Sequence, residues 1–594
     1  MLAIQTFLRQ LLFLLLFFTL NIAPVILKAQ SASDLIRLNQ QGYYPKALKI
    51  AVVSKAAGSK FYVVSNITKD TVFKGNLVGA RRSDYSPEQT FILDFTSLSK
   101  PGKYFIHVAG LGNSYPFEIK ANVHSNVAKA SLKGFYFNRT STALPEKFAG
   151  KWARPAGHPD NKVIIHPSAK SPSRHAGTII SSSKGWYDAG DYNKYIVNSG
   201  ITMGTLFSLY EDFTAASKDL KLNIPESSNN VPDLLDESLW NLRWMLTMQD
   251  PADGVVYHKL TNPTFDGITV MPDKAKEPRY VVQKSTAAAL DFAAVMAQAN
   301  RIFSRYKKEL PGLSDSCLNA SKLAWAWALK NPHELYLQEE INRSFDPDIT
   351  TGEYGDSDLA DEFIWAAAEL YISTADESFY KAVKIIPDDA FPLPSWNQVR
   401  TLAYYSLLRF EQKLNLRHKE DIAKLRKELI AAADELAEFP STTPYATVMG
   451  KAAKDFIWGS NAVASNQGIL LVQAFRLTGN KTYLSAALAN LDYLLGRNAT
   501  GYSFLTGFGS KQVMHPHHRP SEADGIAEPV PGLLSGGPNP SQQDKCAYPS
   551  SIPDQSFSDD VCSYASNEIA INWNAPFVYL ACALEALQHE AGWD

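Results

Sequence analysis

Near Asn122 the apolar pattern of this 594-residue chain changes period, and the change separates two kinds of fold. Before it, apolar residues come in short runs at residues 49–53, 60–64, 91–95, 103–108 and 115–119, broken by Pro101-Gly102 and Gly110-Leu111-Gly112. Such β-rich runs with turn residues between them predict a small, immunoglobulin-like β-sandwich over residues 34–121. After it, residues 232–248, 285–302, 358–374, 396–414, 419–438, 462–477, 483–495 and 567–589 carry apolar faces at helical spacing. About a dozen helices fit residues 124–594, the number a double-layered helical barrel uses, although periodicity alone does not choose that barrel over an irregular bundle. Two domains also agree with the length, which exceeds what one core usually organises.

Charge narrows the choice of partner. With 58 basic and 60 acidic residues the chain has no field that would gather nucleic acid or an anionic membrane, so a neutral partner is expected. The 11 Trp and 27 Tyr offer flat rings suited to sugar faces, though most rings in any fold are core. At the start, Arg9 precedes the apolar run from Leu11 to Leu20 and Ala29 precedes Gln30, the pattern of an export leader over residues 1–29. An uncleaved anchor is the alternative, but Asn21 and Pro24 cut the apolar stretch short. The expectation is a secreted or periplasmic monomer with no membrane span in its mature part. Four cysteines are too few to build the fold, and only Cys546 and Cys562 are placed to pair locally.

Three irregular stretches concentrate reactive groups. In Gly185-Trp-Tyr-Asp-Ala-Gly-Asp-Tyr-Asn-Lys-Tyr195, Asp188 and Asp191 stand three residues apart beside Gly190; two close carboxylates hold a water and take its proton, but a calcium loop or helix cap has the same look. In the segment from Asp559 to Pro576, Glu568 stands at the predicted start of the last helix. There the dipole would keep it ionised, so a general acid at that point needs burial or a neighbouring carboxylate such as Asp559 to raise its pKa. From Ser503 to Arg519, His515, His517, His518 and Arg519 gather in one loop. These are good partners for sugar hydroxyls, and they lack the helical spacing and cysteines of a metal site.

Together and in this order, the three motifs resemble glycoside hydrolase family 9, over essentially the whole chain after the leader. The likeness runs through Ser503, Gly509, Lys511 and Pro516-His517-x-Arg519, and through Phe557, Asp559, Tyr564, Glu568, Ala570, Asn574 and Ala575. It includes Asp188-Ala-Gly-Asp191, Trp458-Gly-Ser-Asn461 and Leu494-Leu-Gly-Arg-Asn498. The resemblance implies a mainly α fold, an (α/α)6 barrel behind an immunoglobulin-like β-sandwich. It also implies inverting hydrolysis of β-1,4-glucosidic linkages, of the cellulase or endo-β-1,4-glucanase type. Asp191 would be general base with Asp188 helping to hold the water, Glu568 general acid with Asp559 in its signature, and His517 and Arg519 substrate-binding. Trp458, Trp573, Tyr564 and Trp396 would line the sugar cleft.

A structural calcium site is implied at Ser357, Asp358, Asp361 and Glu362, where oxygen-only ligands suit Ca²⁺. Its last expected ligand is an Asp after a Ser-Trp pair, but Asn397 follows Ser395-Trp396. The zinc site of some members is not expected, because His158 and His166 have no cysteine near them, and no organic cofactor is expected. The rival readings are a same-fold enzyme for mixed-linkage glucan, xyloglucan or glucosamine oligomers, and a non-catalytic carbohydrate-binding protein. The latter would typically have lost a carboxylate, and all three are present.

Overall fold

A computed structural model describes residues 32–55, 58–414 and 418–594; the leader expected at residues 1–29 lies outside them. The first domain is a β-sandwich of β1 (Ile36–Arg37), β2 (Gly42–Tyr43), β3 (Ile50–Val53), β4 (Lys60–Ser65), β5 (Thr71–Ser83), β6 (Ser86–Asp94), β7 (Gly102–Val108), β8 (Gly112–Asn113) and β9 (Phe117–Ile119). Its strands run in the order β1-β3-β6-β5-β4-β7-β9-β2, with β8 beside β7. The long β5 joins the two layers: Thr71 to Asn76 pair with β4, and Leu77 to Ser83 pair with β6 across register shifts. Sequence periodicity misses this strand because Lys74, Gly75, Asn76, Gly79, Arg81 and Arg82 leave it polar and largely exposed.

Period-2 alternation decides what the sandwich touches. Ala51, Val53, Leu93 and Phe95 turn into its own core with Phe61, Val63, Ile106 and Val108. Val52 and Ile92, one residue out of phase, pack instead on Tyr445, Ala446 and Ala499 of the second domain. Buried polar contacts fix the joint. Asn39 Nδ2 donates to Asp492 Oδ1 at 2.7 Å, and Arg497 reaches Asp492 Oδ2 at 2.8 Å and the Ile50 carbonyl at 3.3 Å. The Leu494 to Asn498 motif therefore serves the docking of the two domains.

The second domain is an (α/α)6 barrel of six helical hairpins, each an outer helix followed by an inner one. They are α1 (Ser125–Phe137) and α2 (Ile196–Asp212), α3 (Asp233–Thr247) and α4 (Thr286–Phe303), α5 (Leu313–Lys330) and α6 (Ala360–Thr374). The rest are α7 (Glu377–Lys381) and α8 (Arg400–Arg409), α9 (Lys419–Glu438) and α10 (Ser460–Thr478), α11 (Lys481–Leu494) and α12 (Ile571–Ala591). Composition sorts the layers. Inner α2 is buried from Ile196 through Tyr210, whereas outer α9 buries only the stripe Leu425, Leu429, Ala433 and Leu436. Small residues let inner helices approach: a Cβ on Gly204 would lie 2.5 Å from the Trp365 ring. Among the described residues no helix is long and apolar enough to cross a membrane.

Two predicted helix starts move. Residues 396–399 are irregular, and the helix predicted there begins at Arg400 after the Val399 N–H donates to Asp361 Oδ2 at 2.5 Å. The last helix begins at Ile571, not Asn567, because residues 568 and 569 are held extended by bridges to His517 and Ser535. Over the barrel mouth lies a five-stranded sheet that periodicity does not reveal, its strands being two or three residues long. It comprises β10 (Val163–Ile165), β11 (Ile179–Ile180), β12 (Lys194–Tyr195), β13 (Lys259–Thr261) and β14 (Tyr280–Val281), in the order β11-β10-β14-β13-β12. β12 runs directly into α2 and so ties the Asp188 to Asp191 loop to the barrel.

Candidate active site

The loop from Gly185 to Tyr195 is pinned at both ends. Tyr187 N–H donates to the Asn138 carbonyl, Asp188 N–H to the Asn193 carbonyl, and Ile571 N–H to the Asp188 carbonyl. Between them Gly190 meets the histidine loop so closely that a Cβ there would lie 2.1 Å from the His517 carbonyl oxygen. Arg519 completes the seam, donating to the Gly190 carbonyl at 2.7 Å and the Asp266 carbonyl at 2.8 Å. His517 N–H donates to the Asn567 carbonyl, and Gly536 N–H to the Glu568 carbonyl. Three segments far apart in sequence thus meet edge to edge, and each presents one of the predicted groups.

They open into a cleft of about 1020 Å³ lined by Asp188, Asp191, His517, Arg519, Glu568 and the rings of Trp396, Trp458, Tyr564 and Trp573. Asp559 does not line it. Its carboxylate accepts from Met514 N–H, His515 N–H and Asn567 Nδ2 at 2.9 to 3.2 Å, and so fixes the histidine loop against the Glu568 segment.

Electrostatics divide the three carboxyls. Asp188 accepts from Asn198 Nδ2 at 2.5 Å and Tyr354 OH at 2.9 Å, yet burial and the neighbouring Asp191 push its pKa up to about 8. Asp191 Oδ2 accepts from Asn193 Nδ2 at 2.5 Å and Tyr195 OH at 3.1 Å, while its Oδ1, equally buried, has no donor among the described residues. Glu568 is held well above the usual carboxylate range, first by burial and then by Asp191 and Asp188; Arg519 and the Gly190 N–H, 3.3 Å from Oε1, oppose this. The raising neighbours are therefore Asp191 and Asp188 rather than Asp559. The helix dipole works against a protonated Glu568 less than the sequence suggests, since Glu568 stands outside α12.

Burial also lowers the His517 pKa, and Nδ1 lies 2.6 Å from the Val561 carbonyl, so Nδ1 carries the proton and Nε2 is left as an acceptor. Trp458 and Tyr564 are 41% and 36% exposed with ring centroids 5.5 Å apart, and Phe265 is 47% exposed beside Arg519. Large rings left in water on one cleft form stacking platforms for a flat, uncharged ligand. The disulfide Cys546–Cys562 ties together the two chain segments that carry Gln543 and Tyr564 to the rim, each just outside the loop it closes. Sequence reasoning missed Asn193, Asn198, Tyr354, Phe265 and Gln543. The first two lie within or just after a recognised motif and were legible as polar neighbours; Tyr354, with φ 48°, gave no local signal.

The four residues of the expected calcium site are not gathered in one place. Ser357 and Asp358 are exposed, and Asp358 Oδ1 accepts from Ala360 N–H at 3.3 Å. Asp361 and Glu362 are buried and are joined by Asp291 of α4 and by Asp356. Both oxygens of Glu362, both of Asp291 and Oδ2 of Asp356 have no N–H or O–H donor among the described residues. Burial, then mutual repulsion, raises the pKa values of Asp291 and Glu362. Asn397 is exposed and accepts from Ser395 Oγ at 2.7 Å. Orphaned, oxygen-only and acidic, the group fits a hard cation. It is more open than a closed coordination shell. The one set of three ligand-type side chains among the described residues with donor atoms within 4.8 Å of one another is Cys546, Asp560 and Cys562, two of which form the disulfide.

Known proteins resemble this chain over most of its length. A family model described as glycosyl hydrolase family 9 matches residues 124–581, and one described as a cellulase N-terminal ig-like domain matches residues 31–113. A xyloglucan-specific endo-beta-1,4-glucanase of Bacteroides ovatus is 50% identical over 557 residues, covering 93% of this chain and 94% of its own. Endoglucanase D of Acetivibrio thermocellus is 32% identical over 555 residues, covering 92% and 82%. Among solved structures, Bacteroides ovatus GH9 superposes with a TM-score of 0.88 at 48% identity, covering 93% of this chain and 99% of that one. A thermostable endoglucanase from Alicyclobacillus acidocaldarius gives 0.81 at 30%, with the same coverage.

Proposed function

The chain belongs to glycosyl hydrolase family 9, and on that footing we propose that it cuts the β-1,4-linked backbone of a glucan from within, by inversion, with xyloglucan as its leading substrate. That it is a glycoside hydrolase of the β-1,4-glucanase type follows from the family; the roles, the stereochemistry and the substrate are the proposal. The observation that carries it is the convergence of Asp188, Asp191 and Glu568 on one cleft with exposed rings on its walls. The xyloglucan specificity of the 50% identical Bacteroides ovatus enzyme supports xyloglucan.

In this reading Asp191 takes a proton from a water through its unpartnered Oδ1, and that water's oxygen bonds to the anomeric carbon. On the opposite face Glu568, kept protonated, gives its proton to the departing glycosidic oxygen as the old C–O bond breaks. His517 Nε2 accepts from a sugar hydroxyl, and Trp458 and Tyr564 stack on pyranose faces. Initial rates and viscometry on xyloglucan, carboxymethylcellulose and mixed-linkage glucan test the substrate. Xyloglucan should be cut fastest, with viscosity falling well ahead of reducing-end release. Faster attack on unbranched glucans, or reducing ends appearing without loss of viscosity, would overturn the choice.

We also propose that Asp291, Asp356, Asp361 and Glu362 hold a structural calcium ion, which would neutralise the orphaned oxygens of Asp291, Glu362 and Asp356. A ligand that binds only the folded state stabilises it by about 2.7 kcal/mol at a hundredfold excess over its Kd. Chelation should therefore lower Tm, and calcium should restore it. Asp291→Asn should blunt both responses. An unchanged Tm in chelator, with no calcium in the purified protein, would remove the site.

A further inference from the structure

Lys259 on β13 is fully buried, and its three ammonium protons are spent on neutral oxygens: Gln338 Oε1 at 2.6 Å, the Gly352 carbonyl at 2.6 Å and Thr351 Oγ1 at 3.1 Å. A buried charge without a contacting counter-charge is costly, so its surroundings need a reason. The sheet register supplies one. Tyr195 and Lys259 are directly opposed across the antiparallel β12–β13 pair, which places both side chains on one face. The ammonium sits 5.5 Å from the centre of the Tyr195 ring and 5.4 Å from that of Tyr336. The hydroxyl of Tyr195 is one of the two donors to Asp191 Oδ2.

The second donor leads back to the same lysine. Lys259 donates to Thr351 Oγ1, Thr351 and Thr261 hydroxyls lie 2.6 Å apart, Thr261 Oγ1 donates to Asn193 Oδ1 at 3.1 Å, and Asn193 Nδ2 donates to Asp191 Oδ2. With the Thr261 hydroxyl turned to Asn193 Oδ1 rather than to the Asn262 carbonyl 2.8 Å away, every proton in that chain points toward Asp191, the arrangement in which successive hydrogen bonds polarise one another. Both routes end on Oδ2 and leave Oδ1 without a donor.

We propose that Lys259 is a positioning residue for the general base, its ammonium acting through the Tyr195 ring and the Thr351–Thr261–Asn193 chain to hold Asp191 Oδ2 and aim Oδ1 at the water. This rests on the reading of Asp191 as base. Burial draws the Lys259 amine down to about 7, against the opposing pull of Asp191 and Glu353. The charged and titratable groups around Asp191 are Asp188, Glu568, Asp266, His517, Arg519, Tyr195, Tyr354 and Lys259, with Arg279 donating to Asn193 Oδ1 at 3.3 Å. Burial and their mutual repulsion hold Asp188 and Glu568 toward their neutral forms, Asp266 is a further acid, and Lys259 is the cation among them that is fully buried.

The test compares full-length wild type, Lys259→Met, Lys259→Arg, Thr351→Val and Asp191→Asn on xyloglucan, with kcat and KM followed across pH. Removing the ammonium in Lys259→Met should lower kcat about tenfold and leave KM within about twofold. It should also move the acid limb of kcat/KM up by about one pH unit, since a nearby cation favours the ionised base. Lys259→Arg keeps the charge and should keep the limb. A wild-type limb in folded Lys259→Met, or equal loss of kcat and KM in the Met and Arg variants, would reduce Lys259 to a structural clip and overturn the proposal. Should Lys259→Met not fold, Thr351→Val, which cuts the hydroxyl chain and one of the three ammonium contacts but leaves the Lys259 charge in place, should lower kcat about threefold with KM unchanged; wild-type kcat there would also overturn it. Full turnover in Asp191→Asn would sink the base assignment and this inference with it, whereas a dead Asp191→Asn beside a normal Lys259→Met would sink this inference alone.

Discussion

Replacing Asp191 by Asn, or Glu568 by Gln, is expected to lower kcat on a β-1,4-glucan by about 10² to 10⁴-fold, the usual contribution of a positioned general acid or base. Folding should survive both changes. Asn at 191 still offers an oxygen to Asn193 Nδ2 and Tyr195 OH, which fixes its amide nitrogen where Oδ1 now lies, and an amide nitrogen takes no proton from water. Gln at 568 still accepts from the Gly190 N–H but has no proton to give. The wild-type pH dependence carries the same assignment. Glu568 is raised by burial, so it works while protonated, and activity declines as pH rises through its pKa. Rates and melting curves of the two purified variants check this, and near-wild-type turnover in either folded variant would remove that residue from the mechanism.

Much of the site was legible because its groups are packed into motifs: Asp188 and Asp191 lie three residues apart, His517 and Arg519 two apart, and all four line the cleft. What escaped depends on contacts that no local pattern encodes. Asp559 looked like a neighbour able to raise Glu568, and only the fold shows its oxygens spent on Met514 and His515 N–H groups. Glu568 looked helical because residues 571 onward are, while the bridge to His517 that keeps it extended spans some fifty residues. Lys259 and Tyr354 each stand in an unremarkable stretch and reach the carboxylates through a sheet register and a positive φ. The resemblance pointed to Asp361 and Glu362 within one stretch of chain, whereas Asp291, buried beside them, comes from another inner helix. The fold followed the same rule. Inner and outer helices are separable by whether burial runs all round or along a stripe, whereas β5, polar and bent between two layers, has no alternation strong enough to see.

Single displacement makes a commitment about stereochemistry that is independent of the substrate's name. Asp191 acts through a water and does not attack carbon, so no covalent glycosyl-enzyme forms and the new bond is made on the face opposite the departing oxygen. Cleavage of a β-linkage must then release the α-anomer before mutarotation mixes the two. Proton NMR of a digest of a cello-oligosaccharide or xyloglucan oligosaccharide, recorded in the first minutes with ample enzyme, reads this directly from the anomeric signals. The account predicts that the α-anomer signal grows first and the β-anomer signal follows only at the rate of mutarotation; initial growth of the β-anomer would mean double displacement and would contradict the roles given to Asp191 and Glu568.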